Sequence, residues 1–97
     1  MKNNKRKQFL VAGLGLFGSS VALTLKEMDY DVLCIDIDEN VVQDYSSNFT
    51  YIVCGDAADE KVLRSLSVGD IDVAIVAIGN VERSMMGTML LKELGVP

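Results

Sequence analysis

Short apolar runs alternate along this chain with segments whose apolar residues recur at helical spacing. Phe9, Leu10, Val11 and Ala12 form the first run, and the chain then breaks into glycines. The run predicts a strand over 8–12. From Gly15 to about Met28, the residues Phe17, Val21, Leu25 and Met28 fall at i, i+4, i+8 and i+11. That spacing predicts a helix with these four on its inward face. Asp29, Tyr30 and Asp31 turn the chain into a second strand over 32–36. Asp38 is placed to cap a helix over about 39–46, with Val41, Val42 and Tyr45 as its apolar side. A third strand is predicted over 51–55. Asp59 is placed to cap a third helix over about 60–66, with Val62, Leu63 and Leu66 inward. A fourth strand over 72–78 leads to a last helix over about 81–94. Gly95 reads as its stop before Pro97.

The order is therefore β-α-β-α-β-α-β-α. The second and fourth strands, Val32-Leu33-Cys34-Ile35 and Val73-Ala74-Ile75-Val76-Ala77-Ile78, are continuously apolar. Such strands belong in a parallel sheet covered by helices on both faces. The first turn adds a sharper signal. Gly13-Leu14-Gly15-Leu16-Phe17-Gly18 is a G-x-G-x-x-G motif with a strand before it and a helix after it. Asp36 follows at the end of the second strand. Together these are the fingerprint of a dinucleotide-binding βαβ unit. The fold class expected is α/β, a Rossmann-type doubly wound parallel sheet in the order 3-2-1-4, truncated after four strands. A full sheet of this type has about six strands. The fourth would otherwise be an apolar edge that invites pairing. The chain thus reads as a fragment, or as a half completed by another chain.

Each motif residue has a physical role to play. Gly13 permits the tight turn, Gly15 lets a pyrophosphate approach the backbone, and Gly18 lets the helix pack against the sheet. The helix N-terminus offers free N–H groups to the anion. Asp36 can accept from ribose hydroxyls, and it would repel the 2′-phosphate of NADP. Asp38 reads equally as a helper at the ribose or as a helix cap. Asp56, in Gly55-Asp56-Ala57-Ala58-Asp59, is placed either to accept from an adenine amino group or to serve as a turn acid. Ala77, Ile78 and Gly79 end the fourth strand across the switch point, where small residues leave room for ribose or phosphates. Gly79 also reads as a simple strand terminator. Arg83 has two readings, a phosphate contact from the start of the last helix or a solvated side chain. Met85 and Met89 share a helix face, a pattern of core or interface packing.

Composition narrows the picture. The 97 residues make one small domain, 49% hydrophobic with a single proline, so it is not disordered. No apolar run approaches the roughly 18 residues of a membrane span. The net charge is −5, with four of the nine basic residues in positions 1–7. Residues 8–97 then carry five basic and fourteen acidic residues, or −9. A body so acidic has no basic stripe for nucleic acid. The basic start reads as a frayed terminus, or as a contact for an acidic partner or membrane surface. Cys34 and Cys54 each sit in an apolar run, as buried thiols do. With no C-x-x-C spacing and no histidine, zinc and disulfide scaffolds are excluded, and a reducing cytoplasm is the natural compartment. No phosphate loop of the G-x-x-x-x-G-K-[ST] type and no acid–base–nucleophile set is present.

Residues 8–97 resemble the N-lobe of the RCK/KTN family (the TrkA-N type), cytoplasmic regulators of potassium channels and transporters. The likeness rests on Gly13-Leu14-Gly15-Leu16-Phe17-Gly18, Asp36-Ile37-Asp38, Val53-Cys54-Gly55-Asp56-Ala57, Val76-Ala77-Ile78-Gly79-Asn80 and Leu90-Leu91-Lys92-Glu93-Leu94. It looks most like the peripheral gating subunit of Ktr-type potassium uptake systems. The resemblance implies NAD(H) or ADP/ATP as ligand. The site expected comprises Gly13, Gly15, Leu16, Phe17, Gly18, Asp36, Ile37, Asp38, Asp56, Ala57, Ala77, Ile78 and Gly79. It implies dimers, an octameric ring in the full-length form, and a membrane ion-translocating subunit as partner at the inner face of the cell membrane. Members of the Ktr type often place an arginine at the position of Leu16, where it can reach a terminal phosphate. Leucine there weakens that route and leaves dinucleotide binding less affected. The expected organisation is a basic tail over 1–7 and an incomplete nucleotide-binding lobe over 8–97. The leading function is a non-catalytic sensor of an adenine nucleotide. The alternative is the cofactor-binding part of an NAD-dependent dehydrogenase, and a third is a scaffold that assembles without ligand.

Overall fold

The computed structural model describes residues 6–97. Four parallel strands, β1 (Gln8–Ala12), β2 (Asp31–Asp36), β3 (Tyr51–Cys54) and β4 (Val73–Val76), form one sheet in the order β3-β2-β1-β4. The helices are α1 (Leu16–Glu27), α2 (Glu39–Tyr45), α3 (Glu60–Ser65) and α4 (Val81–Glu93), with a short 3-10 turn at Val68–Asp70. The alternation and strand order agree with the pattern of the sequence. β1 lies in the middle, pairing Phe9 with Val32 on one side and with Val73 on the other. Its Leu10, Val11 and Ala12 are fully buried for that reason.

Two apolar layers cover the sheet. Val11, Leu14, Ala22, Val32, Cys34 and Phe49 form one, with Leu23, Leu25, Val41 and Tyr45 from α1 and α2 packed against it. Leu10, Ala12, Ile35, Leu63, Ile71 and Leu91 belong to the other, beneath α3 and α4. The split follows from the alternation of side chains along a strand. Among the described residues β4 pairs only with β1 and is half-buried along its whole length, so it is an edge strand here. It is also shorter than the apolar run suggested. Ala77 still donates to Ala12 O at 2.7 Å, but Ile78 and Gly79 turn away toward α4.

The inward face of α1 differs from the expectation. Its buried residues are Gly18, Ser19 and Ala22, whereas Phe17 is 68% and Met28 57% exposed. Small side chains let the helix axis come close to the sheet, so the stripe that touches it is Gly18–Ala22. A large residue there would hold the helix away. Val21 and Leu25 are half-buried at the flank.

The ends of the helices use local chemistry. Asp38 and Asp59 accept from the N–H groups of Asn40 (2.8 Å) and Lys61 (2.9 Å), and Asn80 caps α4 by accepting from Arg83 N at 2.9 Å. Gly95, at φ +105°, ends α4. Its N–H goes to Lys92 O and that of buried Val96 to Leu91 O, the paired bonds of a Schellman stop. Arg6 forms exposed ion pairs with Asp29 (3.6 Å) and Asp31 (3.4 Å), so this part of the basic tail meets the chain itself. The rest of that tail, residues 1–5, lies outside the described residues. Among the described residues, no helix is long and apolar enough to cross a membrane.

The two cysteines part company. Cys34 is buried in the central layer, as expected, but Cys54 is exposed at the end of edge strand β3. An edge strand lacks the second neighbour and the helix cover that a central strand has. Burial pushes the Cys34 thiol from 9.0 up to about 12. A maleimide or iodoacetamide reaction near pH 8 should therefore label one thiol in the native chain, Cys54, and two after unfolding. Below pH 9.0 both states keep the Cys34 proton. From there to about pH 12 only the unfolded state releases it, so this group lowers folding stability as pH rises through that window. Two fast-reacting thiols in the folded protein would contradict this.

Candidate functional site

A cleft of about 330 Å³ opens at the carboxyl ends of the strands. In open α/β sheets ligands bind at this edge, where the strand order reverses. Here the reversal falls between β1 and β4, and both contribute. Gly13 and Gly15 line the cleft after β1, Asp36 and Ile37 after β2, and Gly55 and Ala57 after β3. Ala77, Ile78, Gly79, Asn80 and Arg83 line it after β4. A larger hollow of about 540 Å³ lies at the opposite end of the sheet, among Phe9, Leu33, Tyr51 and Leu66. Among the described residues that line it there is neither a glycine turn nor the N-terminus of an α-helix.

The three motif glycines do different work. Gly13 has φ +101°, and a Cβ there would collide with the carbonyl oxygen of Ala77. Its N–H donates to Ile35 O at 2.8 Å, so the turn is stitched to β2 and pressed against the end of β4. A Cβ on Gly18 would overlap the carbonyl oxygen of Gly13, so Gly18 is a contact point between helix and turn. Gly15 is the contrast. Its backbone is ordinary (φ −67°), and among the described residues no atom beyond its own local backbone and chain neighbours lies within 4 Å of where its Cβ would stand. Among the described residues nothing forces glycine here, and open space stands where its side chain would go.

That space lies at the start of α1. α2, α3 and α4 begin on Asp38, Asp59 and Asn80, each with a side-chain oxygen on a backbone N–H. Gly15, the first residue of α1's cap, has no side chain to do this. The opening N–H groups of a helix have no partner within it, and together they carry partial positive charge. A phosphate in the cleft would satisfy them, so the residues present fit that group.

Asp36 forms the adjoining wall. Oδ2 accepts from Leu14 N at 2.7 Å and Oδ1 from Asp38 N at 2.9 Å. The carboxylate is thus held in one orientation and ties the tip of β2 to the glycine turn. Each oxygen retains further acceptor capacity, which suits vicinal hydroxyls. The remaining residues expected at the site stand elsewhere. Leu16 (91% exposed) and Phe17 face solvent, because the first turn of α1 points them away from the sheet. Gly18 lies at the helix–turn contact. Asp38 is a helix cap on the surface. Asp56 is a turn acid, accepting from Ala58 N at 2.8 Å, and it also pairs with Arg83 at 2.9 Å. None of these five lines the cleft.

Asn80 and Arg83 do line it, and the sequence pattern alone gave Arg83 only as one of two options. The signal is positional. The cap and third residue of a helix that follows the switch-point strand must lie at the carboxyl edge of the sheet. Gly55 and Ile35 join them for the same reason, at the ends of β3 and β2.

A four-stranded parallel sheet in the order 3-2-1-4, with a glycine turn at its switch point, defines a Rossmann-type α/β domain. The chain belongs to the TrkA-N domain family, whose model matches residues 9–96. It is 45% identical over 92 residues to "Ktr system potassium uptake protein C" of Bacillus subtilis, covering 94% of this chain and 42% of that protein. "Ktr system potassium uptake protein A" of the same organism is also 45% identical, over 94 residues, covering 96% of this chain and 42% of that one. The chain therefore spans less than half the length of these relatives. The crystal structure of the TrkA-N domain of inner membrane protein ybaL from Escherichia coli has the same fold. Its TM-score is 0.83 at 18% identity, covering 95% of this chain and 68% of that one.

Proposed function

We propose that this chain is a regulatory lobe that binds an adenine nucleotide, NAD(H) or ADP/ATP, and controls a potassium channel or transporter. The observation that carries the reading is Gly15, a residue with empty space where a side chain would go. That space adjoins the uncapped start of α1 and the oriented carboxylate of Asp36. In the bound state the phosphates take the unpartnered N–H groups at the start of α1, and Asp36 takes ribose hydroxyls. Ile37, Ala57, Ala77, Ile78 and Gly79 complete the walls. Among the described residues, the ionisable side chains lining the cleft are Asp36 and Arg83, a set suited to holding a ligand.

The potassium link rests on relatives named as Ktr system potassium uptake proteins. By the same reasoning, residues 8–97 form the nucleotide lobe of a homo-oligomer. It works in the cytoplasm at the inner face of the cell membrane, beside an ion-translocating subunit.

Titration calorimetry of the purified chain with NADH, NAD, ADP and ATP tests the reading. Saturable binding near one site per chain is expected for at least one of them. NADP should bind more weakly than NAD, because Asp36 opposes a 2′-phosphate. No heat and no saturation with any of the four would end this reading.

A further inference from the structure

Among the described residues, Arg83 is the one basic residue that lines the cleft. It sits in the first turn of α4, where Asn80 Oδ1 accepts its backbone N–H. Its guanidinium Nη2 lies 2.9 Å from Asp56 Oδ1, and the two side chains are 36% and 35% exposed. The same Oδ1 already accepts from Ala58 N. Arg83 Nε is covered and has no hydrogen-bond partner among the described residues. The guanidinium is therefore anchored at one corner while other donors remain unused. Its distance from the acid is also set by packing, because a Cβ on Gly87 of α4 would come within 3.1 Å of Ala57 O.

Gly15 and Arg83 line the cleft from helices on opposite faces of the sheet, since α1 packs on one apolar layer and α4 on the other. A ligand between them has backbone N–H groups on one side and a guanidinium on the other. A part-exposed ion pair contributes little by itself. A phosphate oxyanion is a stronger partner, and a guanidinium can hold it through two parallel bonds. The body of the chain carries −9, with Asp36 and Asp56 close by, so a polyanion needs a local cation.

We propose that Arg83 is the phosphate-binding cation of this cleft, kept in place by Asp56 until a ligand phosphate draws it away. The site then discriminates adenine nucleotides by their phosphates, through a residue on α4 instead of one in the glycine motif. This deepens the nucleotide-binding reading and rests on it.

The test compares adenosine, AMP and ADP by calorimetry on the unaltered chain, Arg83→Ala and Arg83→Lys, with melting curves to verify folding. In Arg83→Ala, ADP affinity should fall about 10–100-fold while adenosine affinity stays within about twofold. Arg83→Lys, a point charge in the same place, should recover part of the loss. Asp56→Asn should tighten ADP in the unaltered background and much less in Arg83→Ala, since the acid competes for the arginine. Unchanged ADP affinity in a folded Arg83→Ala chain overturns the inference and leaves the nucleotide reading intact. Equal losses for adenosine and ADP also overturn it, by making Arg83 a structural residue. If the unaltered chain binds none of the three, this inference is overturned, and the proposed function then stands or falls on NADH, NAD and ATP.

Discussion

Gly18→Ala is expected to destabilise the fold by about 3 kcal/mol or more, at the upper end of overpacking effects. The added methyl would overlap the Gly13 carbonyl oxygen, with Gly13 C and Ala77 Cβ close behind. Most of that shell is backbone, so no rotamer change relieves it, and α1 must lift from the turn. Each kcal/mol lowers the melting temperature of a domain this size by about 4–8 °C, so the midpoint should drop by more than about 12 °C. Gly15→Ala supplies the comparison. Among the described residues its methyl meets no atom beyond its chain neighbours within 4 Å and its φ is allowed, so the fold should lose less than about 1 kcal/mol, mainly as a poorer helix cap. Nucleotide affinity should nevertheless fall at least about tenfold, because the methyl occupies the approach to the α1 N–H groups. Thermal melts and calorimetry on both variants read this out. A Gly18→Ala chain melting within about 3 °C of the parent would refute the packing role. Undiminished nucleotide binding by Gly15→Ala would refute the ligand role.

Asp36→Ala should affect folding and binding together. Its carboxylate accepts from Leu14 N and Asp38 N at 2.7 and 2.9 Å, and Leu14 is only 2% exposed. Removing the acceptor leaves a donor in the turn without its partner, at a cost of about 1–3 kcal/mol. Loss of charge-assisted bonds to ribose should weaken nucleotide binding by about 1.5–3 kcal/mol, or roughly 10–150-fold. Asp36→Asn separates the two effects. One amide oxygen can still accept from a backbone N–H, so stability should recover more than affinity does. Unaltered affinity in Asp36→Ala would remove this residue from the site.

Both predictions concern residues whose type and spacing are visible in the chain. The glycine motif, the acid ending β2 and the alternation of apolar runs all depend on near neighbours. They could therefore be read one segment at a time. Asp59 as a cap and Gly95 as a stop are legible for the same reason. The inward face of α1 was not. Phe17, Val21, Leu25 and Met28 have the right periodicity, yet the sheet accepts the stripe of Gly18, Ser19 and Ala22. Spacing finds an amphipathic face, but how near a helix approaches is decided by the surface it meets. Cys54 follows the same logic, because an apolar run does not reveal that its strand lies at an edge.

The amino-acid sequence by itself determined the order of the elements, their parallel arrangement and the position of the glycine turn. Those features follow from local propensity, period and the constraints on crossover connections. Only the tertiary structure decided which residues share a wall of the cleft. It turned Leu16 and Phe17 outward and made Asp38 a cap. It set Asp56 against Arg83, 27 positions further along the chain. Such pairings depend on how α4 docks beside the β3–α3 turn, and that docking is fixed by the packing of Gly87 on Ala57, which no local pattern encodes.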